Sequence, residues 1–310
     1  MIISFGEILW DVFPDGRRLL GGAPFNLACR LALLGRRSLV ASRLGRDDPG
    51  KRACEEAAGL GVDTSLVQWD AELPTGTVRV SLDEAGRPDF FIVPEVAYDR
   101  IEPAEALLEA AGRAECICYG TLAQRTKKNR DTLCELLEAA SSALKFLDIN
   151  LRRDCYDSRT VTSSLERAGL VKLNDDEVRV VAGIVFGREL SVPEFSRRVT
   201  LEYGLRACLV TLGERGVFAA EAGRGQVYAP SYLVKVLDTV GSGDAFSAGF
   251  IHSWLRGGSL AEACDWGNRL GALIAATAGA TARITTEEIE RIGRSGERII
   301  DPAFEEFKAN

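Results

Sequence analysis

The chain reads as an α/β protein with a mostly parallel central sheet and a small β-sheet standing apart from it. Three observations carry this. From Ile101 onward helix-like and strand-like segments alternate, the order produced by parallel strands joined through crossover helices. The chain opens on an apolar strand pattern, Met1-Ile-Ile-Ser-Phe-Gly6. Between Thr75 and Pro94 two β-rich runs flank a polar turn and interrupt the alternation.

With 310 residues the chain can bury a sizeable core, as one large α/β domain or two smaller ones. Hydrophobic content of 46% and charged content of 27% are those of a soluble globular protein. A net charge of −7 disfavours nucleic acid or an acidic membrane as the main partner. The eight cysteines, at 29, 54, 116, 118, 134, 155, 208 and 264, form no CxxC pair and read as reduced, mostly buried thiols. His252 is the single histidine, which removes support for a His-rich metal site or a Ser-His-Asp triad and leaves it a structural or exposed role. No signal-peptide pattern opens the chain, and no window approaches the roughly 20 apolar residues of a membrane span. A soluble, cytoplasmic protein is expected.

Taken in order, residues 1–9 form a buried strand that delivers Asp11 at its C-terminal end, where ligands bind in open α/β sheets. Gly21-Gly-Ala-Pro-Phe-Asn26 follows, then a helix from Leu27 to Leu34 closed by Gly35. Asp11 can accept hydrogen bonds from two adjacent hydroxyls, Gly21 and Gly22 let backbone approach a polyol, and Asn26 offers both donor and acceptor. Singly, the same residues read as a turn, a bend and a cap. A strand at 38–42, a turn-rich segment to Gly50 and a helix from near Lys51 come next. The interrupting segment is a hairpin, Gly76–Leu82 and Asp89–Val93 about a turn at Asp83-Glu-Ala-Gly86, with Phe90 and Phe91 on opposite faces. Helices at 103–112, 127–142 and near 160–168 then precede strands at 116–119, 145–149 and 170–173.

Asp148-Ile-Asn-Leu-Arg152 lies at a strand end, where Arg152 can hold a phosphate or carboxylate bidentately or be a surface arginine. Asn174-Asp-Asp-Glu177 opens a helix and by itself reads as an N-terminal charge cluster. Ala207–Gly213 is a buried strand, and Thr211-Leu-Gly-Glu-Arg-Gly216 turns away from its end. Gly267–Ala280 is a helix of small residues suited to close packing. No Gly-x-x-x-x-Gly-Lys-Ser/Thr occurs, so a nucleotide would be bound without a Walker A loop.

The densest chemistry lies in Asp238-Thr-Val-Gly-Ser-Gly-Asp-Ala-Phe-Ser-Ala-Gly-Phe250. Gly241 and Gly243 allow backbone dihedrals closed to other residues, and the N–H groups of 241–244 would point together at the positive end of a helix reaching about Arg256. Such an end favours anions, and Asp244 at its mouth can take a proton from an attacking hydroxyl. Asp is also a favoured N-cap, so the loop alone leaves both roles open.

Asp-Thr-x-Gly-x-Gly-Asp-x-Phe resembles the C-terminal signature of the PfkB, or ribokinase-like, family of sugar kinases, with Ser242 where alanine is commoner. Gly-Gly-x-x-x-Asn-x-Ala followed by Leu-Gly35 resembles its N-terminal signature, in a form most similar to fructokinases. The resemblance implies a three-layer α/β/α domain over the whole chain, with a β lid formed by about 12–20 and 75–94 that excludes water. It makes Asp244 the catalytic base, with the amides of Gly241, Ser242, Gly243 and Asp244 as an anion hole. Asp11, Gly21, Gly22, Asn26, Phe91 and Arg152 are then expected at the sugar. Asn174, Thr211, Gly213, Gly216, Asn268 and Ala272 are expected at ATP. Glu177 would act through water on Mg²⁺. K⁺ is admitted at Asp238, Val240, Ala275, Ala278 and Ala280, and a homodimer through the lid is admitted as well.

Overall fold

Residues 1–82 and 88–308 are described in the computed structural model. Up to the hairpin the chain runs β1 (Ile2–Phe5), β2 (Leu9–Val12), β3 (Arg18–Gly21), α1 (Ala23–Leu33), β4 (Ser38–Gly45), α2 (Asp48–Gly59), β5 (Val67–Asp70), β6 (Gly76–Leu82) and β7 (Pro88–Ile92). It continues as α3 (Glu105–Gly112), β8 (Cys116–Tyr119), α4 (Lys127–Ala139), β9 (Leu144–Asp148), α5 (Ser158–Arg167), β10 (Leu170–Asn174), α6 (Asp175–Phe186) and α7 (Val192–Glu202). The last part holds β11 (Ala207–Thr211), β12 (Val217–Glu221), β13 (Gly225–Ala229), β14 (Ser231–Tyr232), α8 (Ser242–Trp254), α9 (Leu260–Ala275), α10 (Thr286–Ser295) and β15 (Arg298–Ile299). The expected hairpin turn at 83–86 lies outside the described residues.

The central sheet has nine strands in the order β13-β12-β11-β10-β9-β8-β1-β4-β5. It is parallel from β11 to β5, and β12 and β13 add an antiparallel edge. Side chains alternate across a strand, so each strand feeds two cores. Val171 and Leu173 of β10 pack with Leu136 of α4, Val161 of α5 and Phe195 of α7 on one face. Leu170 turns to the other, where Leu27 of α1, Phe250 of α8 and Leu260 of α9 lie. This is the expected three-layer sandwich. The same alternation sends Lys172 toward α8.

A four-stranded sheet, β3-β2-β6-β7, stands beside the sandwich. Here the structure corrects the reading of the N-terminus. β1 ends at Phe5, and Leu9–Val12 belongs to the small sheet, so Asp11 sits within a strand of that sheet rather than at the end of a central one. The root of the lid is tied down at Thr75: its N–H and hydroxyl reach Asp47 at 2.9 and 2.6 Å, and its hydroxyl also accepts from the Gly45 N–H at 3.0 Å. All eight cysteines are free. Among the described residues no helix is long and apolar enough to cross a membrane.

Candidate active site

Asp47, Thr126, Asp157, Asn174 and Ser191 each cap a helix with a side-chain oxygen. α8 is different. Gly241 is its N-cap residue, no side chain caps it, and its φ of 78° combines with Ala280 only 2.5 Å from where a Cβ would stand. Glycine is required there on both counts. The Ser242 N–H turns back to the Thr239 carbonyl at 3.2 Å, which corrects the expected four-amide nest to three. Among the described residues, the N–H groups of Gly241, Gly243 and Asp244 meet no backbone acceptor outside the helix. The open end of α8 therefore offers donors and a positive dipole.

Asp244 lies in the first turn of α8 and is not its cap. Its Oδ2 accepts from Asn26 Nδ2 at 2.8 Å, across 218 residues of sequence. Asn26 stands in the first turn of α1, whose N-cap Gly22 has φ 113° and leaves 2.4 Å between a Cβ position and the Glu7 carbonyl oxygen. Burial pushes the Asp244 carboxyl up to about 6, helped by nearby Asp148 and opposed by Asn26, Lys172 and Arg152. The Asn26 Oδ1 is buried without a partner and remains open to a donor. Asp11 is likewise raised to about 6 by burial, with Arg152 opposing. Arg152 is exposed, yet its charge reaches Asp11, Glu7 and Asp244, which places it on the same mouth.

Three further charged residues, unremarked as site groups in the sequence, complete the floor. Lys172 Nζ lies 3.1 Å from both oxygens of Asp148 and 3.2 Å from the Cβ position of Gly243. Burial opposes its charge, but Asp148, Glu177 and Asp244 outweigh that and push its pKa up. Ser247 Oγ sits 2.9 Å from Asp148 and 3.1 Å from the Gly243 carbonyl. Glu7 is 4% exposed, accepts from the Ala23 N–H at 3.2 Å and is raised to about 7 by burial. Lys172 is the one charge within the apolar strand Leu170–Leu173, a signal that marks it as unusual without saying what it underlies. A cavity of about 30 Å³, room for a water, is lined by Glu7, Asp148, Asn150 and Asp244.

An open cleft of about 620 Å³ adjoins this floor, bounded by Arg152, Asn174 and Glu177. Asn174 and Glu177 form a reciprocal capping box at 2.8 Å each way, and the other Glu177 oxygen accepts from the Leu151 N–H at 2.7 Å. Thr211 is in register with Asn174 on the adjoining strand, and Gly213 opens the turn after it. Gly216 is wedged instead against the backbone of residues 229–231.

Three expectations are corrected, at Asn268, Ala272 and Phe91. Asn268 is 5% exposed, and its amide donates to the Ala229 and Pro230 carbonyls at 2.9 and 3.2 Å, so it ties α9 to β13 rather than standing free for a base. Ala272 is buried beside it, where the small residues let α9 approach α8. The residues expected around K⁺ lie close together, and several of their oxygens accept hydrogen bonds. The Ala275 carbonyl accepts the Leu237 and Asp238 N–H groups at 2.7 and 3.2 Å, the Asp238 carboxylate accepts from Val240 and Gly279 at 3.0 and 3.2 Å, and the Ala280 carbonyl faces Arg30. Among the described residues, the Val240 and Ala278 carbonyls have no such engagement. Finally, register pairs Asp11 with Val78, Val78 with Ile92 and Val80 with Phe90, which sets Phe90, not Phe91, on the face of Asp11. His252 is buried against Trp266, its rings 5.3 Å apart, in the structural role expected.

The model of the pfkB family of carbohydrate kinases matches residues 13–287. Fructokinase-1 of Oryza sativa subsp. japonica is 30% identical over 93% of this chain and 95% of its own length. The fructokinase of Klebsiella pneumoniae is 34% identical over 79% of this chain and 81% of its own. Among solved structures, an uncharacterized sugar kinase of Pyrococcus horikoshii in complex with ATP superposes with a TM-score of 0.80 at 27% identity, covering 93% of this chain and 96% of that one. A carboxylate at the open end of α8, set in this sandwich and lid, thus has a family around it: the chain belongs to the pfkB family carbohydrate kinases and is a phosphotransferase acting on a sugar hydroxyl.

Proposed function

We propose that the chain transfers the γ-phosphate of ATP to a primary hydroxyl of a small sugar, with fructose first and 2-keto-3-deoxygluconate and ribose behind it. The observation that carries this is the pairing of Asp244 with Asn26 at the uncapped mouth of α8. Asp244 takes the hydroxyl proton, the sugar oxygen attacks the γ-phosphorus in line, and the bond to the bridging oxygen breaks to leave ADP. The N–H groups of Gly241, Gly243 and Asp244 point where negative charge grows. Asp11, Gly21, Gly22 and Asn26 hold the sugar from the lid and α1, with Phe90 on the lid face of Asp11. Arg152 meets the phosphates or a substrate carboxylate.

Asn174, Thr211 and Gly213 line the ATP side, and the ATP complex of the Pyrococcus relative supports that nucleotide. Mg²⁺ fits Glu177. Both its oxygens accept one backbone N–H each and keep a lone pair for a water, as suits an ion that retains its hydration. When bound it neutralises phosphate charge. The exposed Phe91, on the lid face away from Asp11, supports dimerisation through the lid, which sedimentation of the wild type against Phe91→Asp checks.

The test is coupled ADP release with Mg-ATP across fructose, ribose, 2-keto-3-deoxygluconate, glucose and adenosine. Turnover on fructose alone is expected. Turnover on another sugar keeps the mechanism and replaces the substrate. Silence on all five, with sugar binding retained in thermal shifts, favours a regulatory sugar-binding protein.

A further inference from the structure

Arg30 is among the largest fully buried side chains of the protein, at 2% exposure. It lies one helical turn after Asn26 on α1. Its two terminal nitrogens donate to the carbonyls of Ala280 and Ala282, and its Nε has no partner. Among the described residues no carboxylate forms an ion pair with it. A buried guanidinium held only by carbonyl dipoles is costly, and truncation of a neighbour's partner would not explain why such a charge is kept. Its position does. Ala280 is the residue against which Gly241 is packed, and the charge of Arg30 is felt at Asp244. The guanidinium therefore joins the helix that carries the partner of Asp244 to the loop that backs the mouth of α8.

That loop is where a monovalent cation was expected. A cation there would have to share the Ala280 carbonyl with a full positive charge, while the Ala275 carbonyl and the Asp238 carboxylate also accept N–H donors. We propose that Arg30 is a built-in cation: it takes the Ala280 carbonyl that a dissolved ion would take, adds the neighbouring Ala282 carbonyl, positions the loop behind Gly241, and makes the kinase independent of K⁺. The inference rests on the phosphoryl-transfer reading above and deepens it. Arg30 is a positioning residue, since it acts through Gly241 and Asn26 and touches no reactant.

The experiment compares potassium, sodium and choline chloride at equal ionic strength, read by both melting temperature and sugar-dependent ADP release. For the wild type, kcat is expected to stay within about twofold and the melting point within about 1 °C across the three salts. Arg30→Ala should lose about tenfold or more in kcat in choline with the sugar KM within about threefold, and should regain activity with added K⁺ or millimolar guanidinium. Arg30→Lys, which keeps the charge but loses the fork, should fall between. A wild type that requires K⁺ for turnover, or melts several degrees higher in K⁺ than in choline, overturns the proposal. So does an Arg30→Ala enzyme with undiminished kcat. If Arg30→Ala fails to fold, Arg30→Lys and the wild-type salt series still decide. If no sugar is turned over, the catalytic reading fails separately, and the wild-type melting series alone judges the cation.

Discussion

On the proposed mechanism Asp244 combines two demands that pull against each other: it must be ionised to accept a proton, yet burial raises its pKa to about 6. kcat/KM is therefore expected to rise with pH through about 6 and level off above 7, as a pH-rate profile will show. Asp244→Asn removes the base and keeps the shape. Its kcat should fall about 10²- to 10⁴-fold while calorimetric sugar affinity stays within about threefold, and a variant retaining most of its activity would refute the base assignment. Asn26→Ala should lower kcat by a smaller factor, about tenfold, because it frees the carboxylate without removing it. The sequence made Asp244 and Asn26 readable because each sits at a fixed offset from glycines. Glu7 and Lys172 were not, since nothing local to a strand says which of its residues will underlie a distant helix.

At the level of elements, the site depends on α8 being left uncapped and on Lys172 beneath it. Lys172→Met leaves Asp148 buried without its partner, and the unfolding free energy should drop by about 3–5 kcal/mol in a urea titration. The double variant Lys172→Met with Asp148→Leu should recover part of that loss, which separates the buried-charge account from simple loss of volume. Lid strands carry a similar lesson. A period of two says that Phe90 and Phe91 face opposite ways, but only the pairing of β6 with β7 says which way. Phe90→Ala should raise the sugar KM several-fold in steady-state kinetics, and Phe91→Ala should leave it within about twofold. The small residues of α9 were legible as close packing and, through the family resemblance, as an adenine wall. Packing is what the structure supports at Asn268.

Across the whole molecule, alternation of helix and strand patterns was enough to recover the parallel sandwich, with boundaries a few residues off, as at α4, which ends at Ala139. The departure of the chain into the small sheet after Phe5 was missed, because Ile8-Leu-Trp resumes the apolar run after only Gly6-Glu7, an interruption too short to announce a change of sheet. Three carboxyls around the mouth, Glu7 at about 7 and Asp11 and Asp244 at about 6, have folded pKa values above their ordinary ones. Their contribution to stability is present at low pH, below about 4, and is lost as pH rises through 6 to 7. Glu7→Gln and Asp244→Asn should then each melt higher than the wild type at pH 8, and the advantage should vanish near pH 4, as differential scanning calorimetry across that range will show.

β2 follows β1 after only Gly6-Glu7-Ile8, and β3 passes into α1 through Gly22 alone. Both arms of the lid are thus nearly inextensible. One ends on Glu7 and the other on the turn that carries Asn26, so on the proposed mechanism any shift of the small sheet is expected to reach the partner of Asp244 with little slack.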